Sequence, residues 1–102
     1  MLHFLLRSLE HLTSPLDLMS YIPPPKELKA FADAVIVKGK TQIQGSSQKR
    51  RRWQTPDNKL YEWDYQHGAV EKYDRNGKHL GEFDPITGEQ IKSADPSRRI
   101  EP

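Results

Sequence analysis

Cysteine is absent from the 102 residues, which removes disulfide staples, thiolate nucleophiles and zinc ribbons from consideration. Long apolar runs are missing too. Hydrophobic residues make up 34% of the chain, so the single domain that this length allows has a small core. The nearest approach to a hydrophobic stretch, MLHFLLRSLEHL at the start, is broken by Arg7 and Glu10, has no small-residue cleavage site after it and is too short to cross a bilayer. Leu2, Leu5, Leu6, Leu9 and Leu12 recur at helical spacing instead, which predicts an amphipathic helix for packing or partner contact. A large net charge is also lacking. Sixteen Lys and Arg against fourteen Asp and Glu leave +2, so any affinity for nucleic acid has to come from where the charges lie.

Their placement is uneven. Lys49, Arg50, Arg51 and Arg52 run together, Arg98 and Arg99 close the sequence, and acids cluster between residues 57 and 89. Pro15 and Pro23-Pro24-Pro25 punctuate the first half, and Pro25 is placed to open a second helix from Lys26 to Val35 with Leu28, Phe31 and Val35 on one face. Gly39 and Gln44-Gly45-Ser46-Ser47-Gln48 read as linker. Residues 1–48 are therefore expected to be a helical or partly disordered lead-in, and 49–102 a separate functional domain.

From Lys49 the period changes to two. Arg50 to Gln54, Lys59 to Tyr65, Ala69 to Asp74, Lys78 to Phe83 and Glu89 to Lys92 read as strands. Thr55-Pro56-Asp57-Asn58, Gln66-His67-Gly68, Asn76-Gly77 and Asp84-Pro85-Ile86-Thr87-Gly88 are the turns between them. The expected fold is α+β, mainly β: short N-terminal helical segments followed by a small, highly twisted antiparallel sheet.

The stretch YEWDYQHGAVEKY, residues 61–73, carries the candidate chemistry. Paired residues of an antiparallel ladder share a face, so if Asp64 lies opposite Ala69 or Glu71, then Asp64 and Glu71 share one, with His67 at the turn between them. Two close carboxylates raise the pKa of one of them, and a carboxylate beside an imidazole favours its protonated form, which separates acid from base roles. The plainer reading is the solvated polar face of a sheet. A metal site is a poorer match, because Asp64, His67 and Glu71 follow no familiar zinc spacing and His3, His11 and His79 are scattered.

Residues 49–100 decide between these readings by resemblance. The basic run with Trp53, the YEWDxQHG block at Tyr61 to Gly68, Glu71, the GxHLGxFDPxTG block at Gly77 to Gly88 and the DPxR block at Asp95 to Arg98 resemble, in order and spacing, the cytotoxic ribonuclease domain of the ribosome-inactivating E-type colicins and cloacin. The resemblance implies a bacteriocin-type endoribonuclease that cuts small-subunit ribosomal RNA at the decoding site by metal-independent attack of a ribose 2′-hydroxyl. It implies catalysis by Asp64, His67, Glu71 and Arg98, phosphate support from Lys92, and no cofactor. Tyr61 is a further candidate for support, and which of Glu71 and His67 is base and which acid stays open.

On the same reading, Lys49, Arg50, Arg51 and Arg52 contact RNA phosphates, whereas Trp53 and Trp63 serve packing more than base stacking. The implied partners are the ribosome and an acidic immunity protein, with no DNA and no stable membrane association, for a monomer. The implied setting is a secreted or delivered toxin domain acting in the cytoplasm of a target bacterium. Two rivals are a catalytically inactive RNA- or ribosome-binding module of the same fold, and an adaptor for a protein partner.

Overall fold

A computed structural model describes residues 21–102; the amphipathic helix expected over residues 2–12 lies outside them. The described chain is mainly antiparallel sheet. Six strands follow in order, β1 Val35–Val37, β2 Arg52–Gln54, β3 Leu60–Asp64, β4 Ala69–Tyr73, β5 His79–Phe83 and β6 Gln90–Lys92. Each pairs with its sequence neighbours, so the sheet order is also the chain order. The five strands expected from residue 50 onward are all present, each trimmed at one or both ends.

Turn chemistry explains the spacing. Asp64, Asp74 and Asp84 stand at or just beyond the ends of β3, β4 and β5. Each turns a carboxylate oxygen onto the backbone N–H two residues ahead, at 2.9, 2.8 and 2.8 Å respectively. This local bond favours the turn over continued extension. At Asn76-Gly77 the glycine has φ 85°, and a Cβ there would collide with the carbonyl oxygen of Ile100. Gly77 thus serves both the hairpin and the docking of the chain's last segment, whose Ile100 N–H donates to the Gly77 carbonyl at 2.9 Å.

The second helix expected from Lys26 to Val35 is not formed. One 3-10 turn at Lys29–Phe31 is all the helix there, and the chain then enters β1. Two physical reasons account for the difference. Val35, Ile36 and Val37 are β-branched and lose less freedom in a strand than in a helix. The segment before them is also needed in extended form, because its carbonyls accept the indole N–H groups of the core: Trp63 Nε1 donates to Ile22 at 2.7 Å and Trp53 Nε1 to Lys26 at 3.1 Å. A helix would have used the Lys26 carbonyl internally.

One face of the sheet carries the core. Leu28, Trp53, Tyr61, Trp63 and Val70 are buried together, with Phe31, Ala34, Tyr65 and Phe83 packed around them. Residues 28–34, expected to lie in a lead-in, thus supply part of that core. Leu28 is 1% exposed. Leu28→Ala is expected to lower unfolding stability by about 3 kcal/mol through lost burial and a residual cavity, read as a lower urea midpoint with the slope unchanged.

Candidate active site

The opposite face is polar, and the register aligns it. Arg52 of β2 lies opposite Glu62 of β3, Glu62 opposite Glu71 of β4, Glu71 opposite Glu82 of β5, and Glu82 opposite Lys92 of β6. Cross-strand partners share a face, so five side chains form one row, with a cation at each end and three carboxylates between. Adjacent strands are about 4.8 Å apart, and like charges at that spacing repel unless something intervenes.

The ends are treated differently. Arg52 Nη2 meets Glu62 Oε2 at 2.8 Å, with both side chains at most 2% exposed, and Thr41 Oγ1 donates to the same oxygen at 2.6 Å. At the other end Lys92 Nζ stands 3.7 Å from Glu82 Oε1 and is 63% exposed. Glu82 itself is buried, and its Oε2 has no hydrogen-bond partner among the described residues. Burial first, then the negative charges of Glu71 and Asp64, push its carboxyl above the ordinary range.

The central carboxylate has two partners from outside the row. His79 Nε2 lies 2.7 Å from Glu71 Oε1, and Arg98 Nη1 lies 3.5 Å from Glu71 Oε2. Arg98 arrives on the segment after β6, which is held to β5 by the His79 N–H donating to the Arg98 carbonyl at 3.2 Å. The Tyr73 hydroxyl is buried on this face and has no hydrogen-bond partner among the described residues, and the Arg98 guanidinium carbon sits 5.9 Å from the centre of its ring. Burial pushes that phenol up to about 12.

Asp64 and His67 flank the row at the β3–β4 turn. Asp64 pairs with Ala69, which places it on the face of Glu62 and Glu71. Its Oδ1 accepts the N–H groups of Gln66 and His67, and its Oδ2 meets His67 Nδ1 at 2.7 Å. Burial alone would raise this carboxyl, but the hydrogen bonds from the His67 ring and the two backbone amides outweigh it and hold it below the usual carboxylate range. An ionised carboxylate only accepts, so Nδ1 carries a hydrogen and Nε2 is the edge of the ring left free. Half of the imidazole is exposed, and its Nδ1 is 3.8 Å from Glu82 Oε2.

The structure therefore brings Asp64, His67, Glu71, Lys92 and Arg98 onto one face. Tyr61 does not join them. It is buried on the core face with its ring centre 4.6 Å from that of Phe31, and burial raises its phenol to about 12. The basic run is also divided. Arg52 is committed to Glu62 and closed to solvent, Arg50 Nη1 donates to the Trp63 carbonyl at 2.8 Å and Arg51 Nη1 to the Pro25 carbonyl at 3.3 Å. Lys49, Arg50 and Arg51 line a cavity of about 470 Å³ that reaches Asp64 and Tyr65. Trp53 and Trp63 are core residues.

Glu62, Tyr73, His79 and Glu82 are members of the site that motif reading passed over. The alternation places Glu62 with Asp64, and two-residue steps from Glu71 reach Tyr73, so parity was a usable signal for both. Only the register across the Asn76-Gly77 hairpin brings in His79 and Glu82. Asp64, His67 and Glu82 also offer one ligand atom each within 4.8 Å of one another, a set that a divalent cation could draw together against the charge of Lys92.

A family model described as Cytotoxic matches residues 22–101. The chain belongs to this cytotoxic-domain family. It is 46% identical to cloacin of Escherichia coli over 84 residues, and 45% and 47% identical to colicin E6 and colicin E3 of the same organism over 84 and 85 residues. Each match takes in 78% of this chain and 15% of the relative, so the chain corresponds to a small part of those proteins. The family match begins ahead of β1, taking in the extended segment under the indoles along with the meander. Among the described residues of this cytotoxic domain, no helix is long and apolar enough to cross a membrane.

The raised Glu82 carboxyl has a consequence for stability. An acid whose folded value exceeds its unfolded value stabilises fully below the unfolded value, and that contribution is lost as pH rises through the folded one. Glu82→Gln is therefore expected to match the parent near pH 4 and to become the more stable protein as pH rises to 7, measured by urea unfolding across that range.

Proposed function

We propose that this cytotoxic domain is a bacteriocin-type toxin endoribonuclease that cuts small-subunit ribosomal RNA at the decoding site, and so stops translation. The observation that carries the reading is one sheet face holding a half-exposed imidazole hydrogen-bonded to Asp64 together with a buried carboxylate, Glu71, ion-paired with a guanidinium 3.5 Å away, in a chain related to cloacin and two colicins.

Each group has a role its surroundings favour. Glu71 takes the proton of a ribose 2′-hydroxyl, whose oxygen attacks the adjacent phosphorus. The bond from phosphorus to the 5′-oxygen breaks, and His67, protonated and oriented by Asp64, gives that oxygen a proton from Nε2. A 2′,3′-cyclic phosphate and a free 5′-hydroxyl result. Arg98 and Lys92 offset the charge that grows on the phosphoryl oxygens. Buried carboxylates repel an incoming phosphate, so affinity has to come from the basic flank at Lys49, Arg50 and Arg51, and target choice from the folded shape of the RNA. That same flank suits an acidic immunity protein, and the ribosomal target sets the cytoplasm of a sensitive bacterium as the place of action.

Incubation of the purified chain with bacterial ribosomes is expected to release one discrete RNA fragment bearing a cyclic phosphate. Chelator-treated protein is expected to cut equally well, whereas His67→Ala and Glu71→Gln each slow the cut by at least about a hundredfold. Co-sedimentation with ribosomes without a cut would instead indicate a binding module.

Salt dependence separates the cations. Lys49→Ala is expected to weaken binding to RNA of any sequence and to reduce the slope of log affinity against log salt by about one. Arg52→Met is expected to leave that slope unchanged, because Arg52 is closed to solvent.

A further inference from the structure

Glu71 lies at the centre of the row, where both sheet neighbours, Glu62 and Glu82, are carboxylates. Its stabilising contacts come from elsewhere. One is Arg98, and the other is His79 of β5, which is 3% exposed and has no part in the proposed proton transfers. We propose that His79 is a positioning residue that holds the Glu71 carboxylate and the Arg98 segment in one fixed relation, with its ring hydrogen locked on Nε2. This deepens the nuclease reading and rests on Glu71 acting as the base.

The two ring nitrogens make different bonds. The backbone N–H of Asp95 donates to His79 Nδ1 at 2.9 Å. An amide N–H only donates, so Nδ1 is an acceptor and the hydrogen sits on Nε2. Nε2 then donates to Glu71 Oε1 at 2.7 Å. Occupying Oε1 leaves Oε2, the oxygen facing Arg98, as the one free to take a proton. The ring cannot turn over freely, since it packs edge-on against buried Tyr73 with 5.2 Å between ring centres.

The same residue also sets where Arg98 sits. Its side chain holds the Asp95 amide and its own backbone N–H holds the Arg98 carbonyl, so both ends of the turn that presents the guanidinium are bonded to His79. Base and phosphate-binding cation are thereby referenced to one imidazole. The charged and titratable groups facing this pair are Glu62 from β3, Tyr73 from β4, Glu82 from β5, and Asp95 and Arg98 from the last segment.

Two substitutions separate the two bonds. His79→Gln keeps an amide N–H within reach of Glu71, whereas His79→Asn keeps an oxygen for the Asp95 amide and withdraws the donor from Glu71. An N–H pointing at a carboxylate favours its ionised form, so removing it moves the acidic limb of kcat/KM to higher pH. His79→Gln is expected to cut ribosomal RNA within about tenfold of the parent with the acidic limb in place. His79→Asn is expected to lose about a hundredfold, the low end for an impaired general base, with that limb displaced to higher pH. Equal losses with unmoved limbs, or no loss in either, would overturn the proposal.

Nitrogen-15 NMR of the unmutated chain keeps the question open to refutation if the variants fail to fold. On the neutral His79 ring a bare Nδ1 and a protonated Nε2 are expected, and the opposite tautomer, with the hydrogen on Nδ1, refutes the lock. The two failures are distinguishable. A chain that cuts no RNA yet shows this tautomer sinks the nuclease reading and the role with it, while an active chain with the other tautomer sinks the lock alone.

Discussion

Three carboxylates side by side across consecutive strands are the constraint from which the rest of this face follows. Glu62, Glu71 and Glu82 are each at most 4% exposed, too buried for water to separate their charges cheaply. The sheet supplies a cation at each end of the row and leaves the middle unresolved. Arg52 is drawn into the interior to serve Glu62, Glu82 is pushed toward its neutral form, and Glu71 takes its partners from a histidine on the next strand and an arginine beyond the last one. Electrostatic balance in this face is thus a property of five strands together.

The two faces divide the labour. On one, the indoles and the aromatic rings close a small core, and the extended proline segment covers it by accepting both indole hydrogens. On the other, Leu60, Ala69 and Tyr73 are buried beside the charged row, and paired charges and the aspartates that tie each turn add to its rigidity. Asp64 belongs to both schemes: one of its oxygens holds the turn while the other holds the imidazole. A turn residue has been given a second duty at no further cost in backbone order.

Much of this was legible from residue order. Alternation and turn residues such as Pro56 and Asn76-Gly77 located the hairpins from β2 onward, and the pairing rule put Asp64 and Glu71 on a common face. Leu28 and Phe31 were recognised as apolar partners but misassigned to a helix, because a three-residue spacing does not distinguish a helix face from a 3-10 turn followed by a strand. Arg52 read as one more surface cation of its run, since nothing local announces the buried carboxylate of Glu62 directly opposite it on the next strand. Tyr61 sits in the motif block, yet its parity with Trp63 marks the core. The place of His79 depends on a shifted register between β4 and β5 near Lys72 and Tyr73, which no local pattern reveals.

A meander whose strands pair only with their neighbours has a kinetic corollary. Successive hairpins close small loops, so the sheet can zip up without long searches through chain space. Asp64, His67 and Glu71 come together in one such closure, between β3 and β4. Arg98 reaches the same place only after a loop back from beyond β6 has docked against Gly77 and His79. Secondary structure should then precede assembly of this cluster during refolding, with a lag set by the capture of that returning segment.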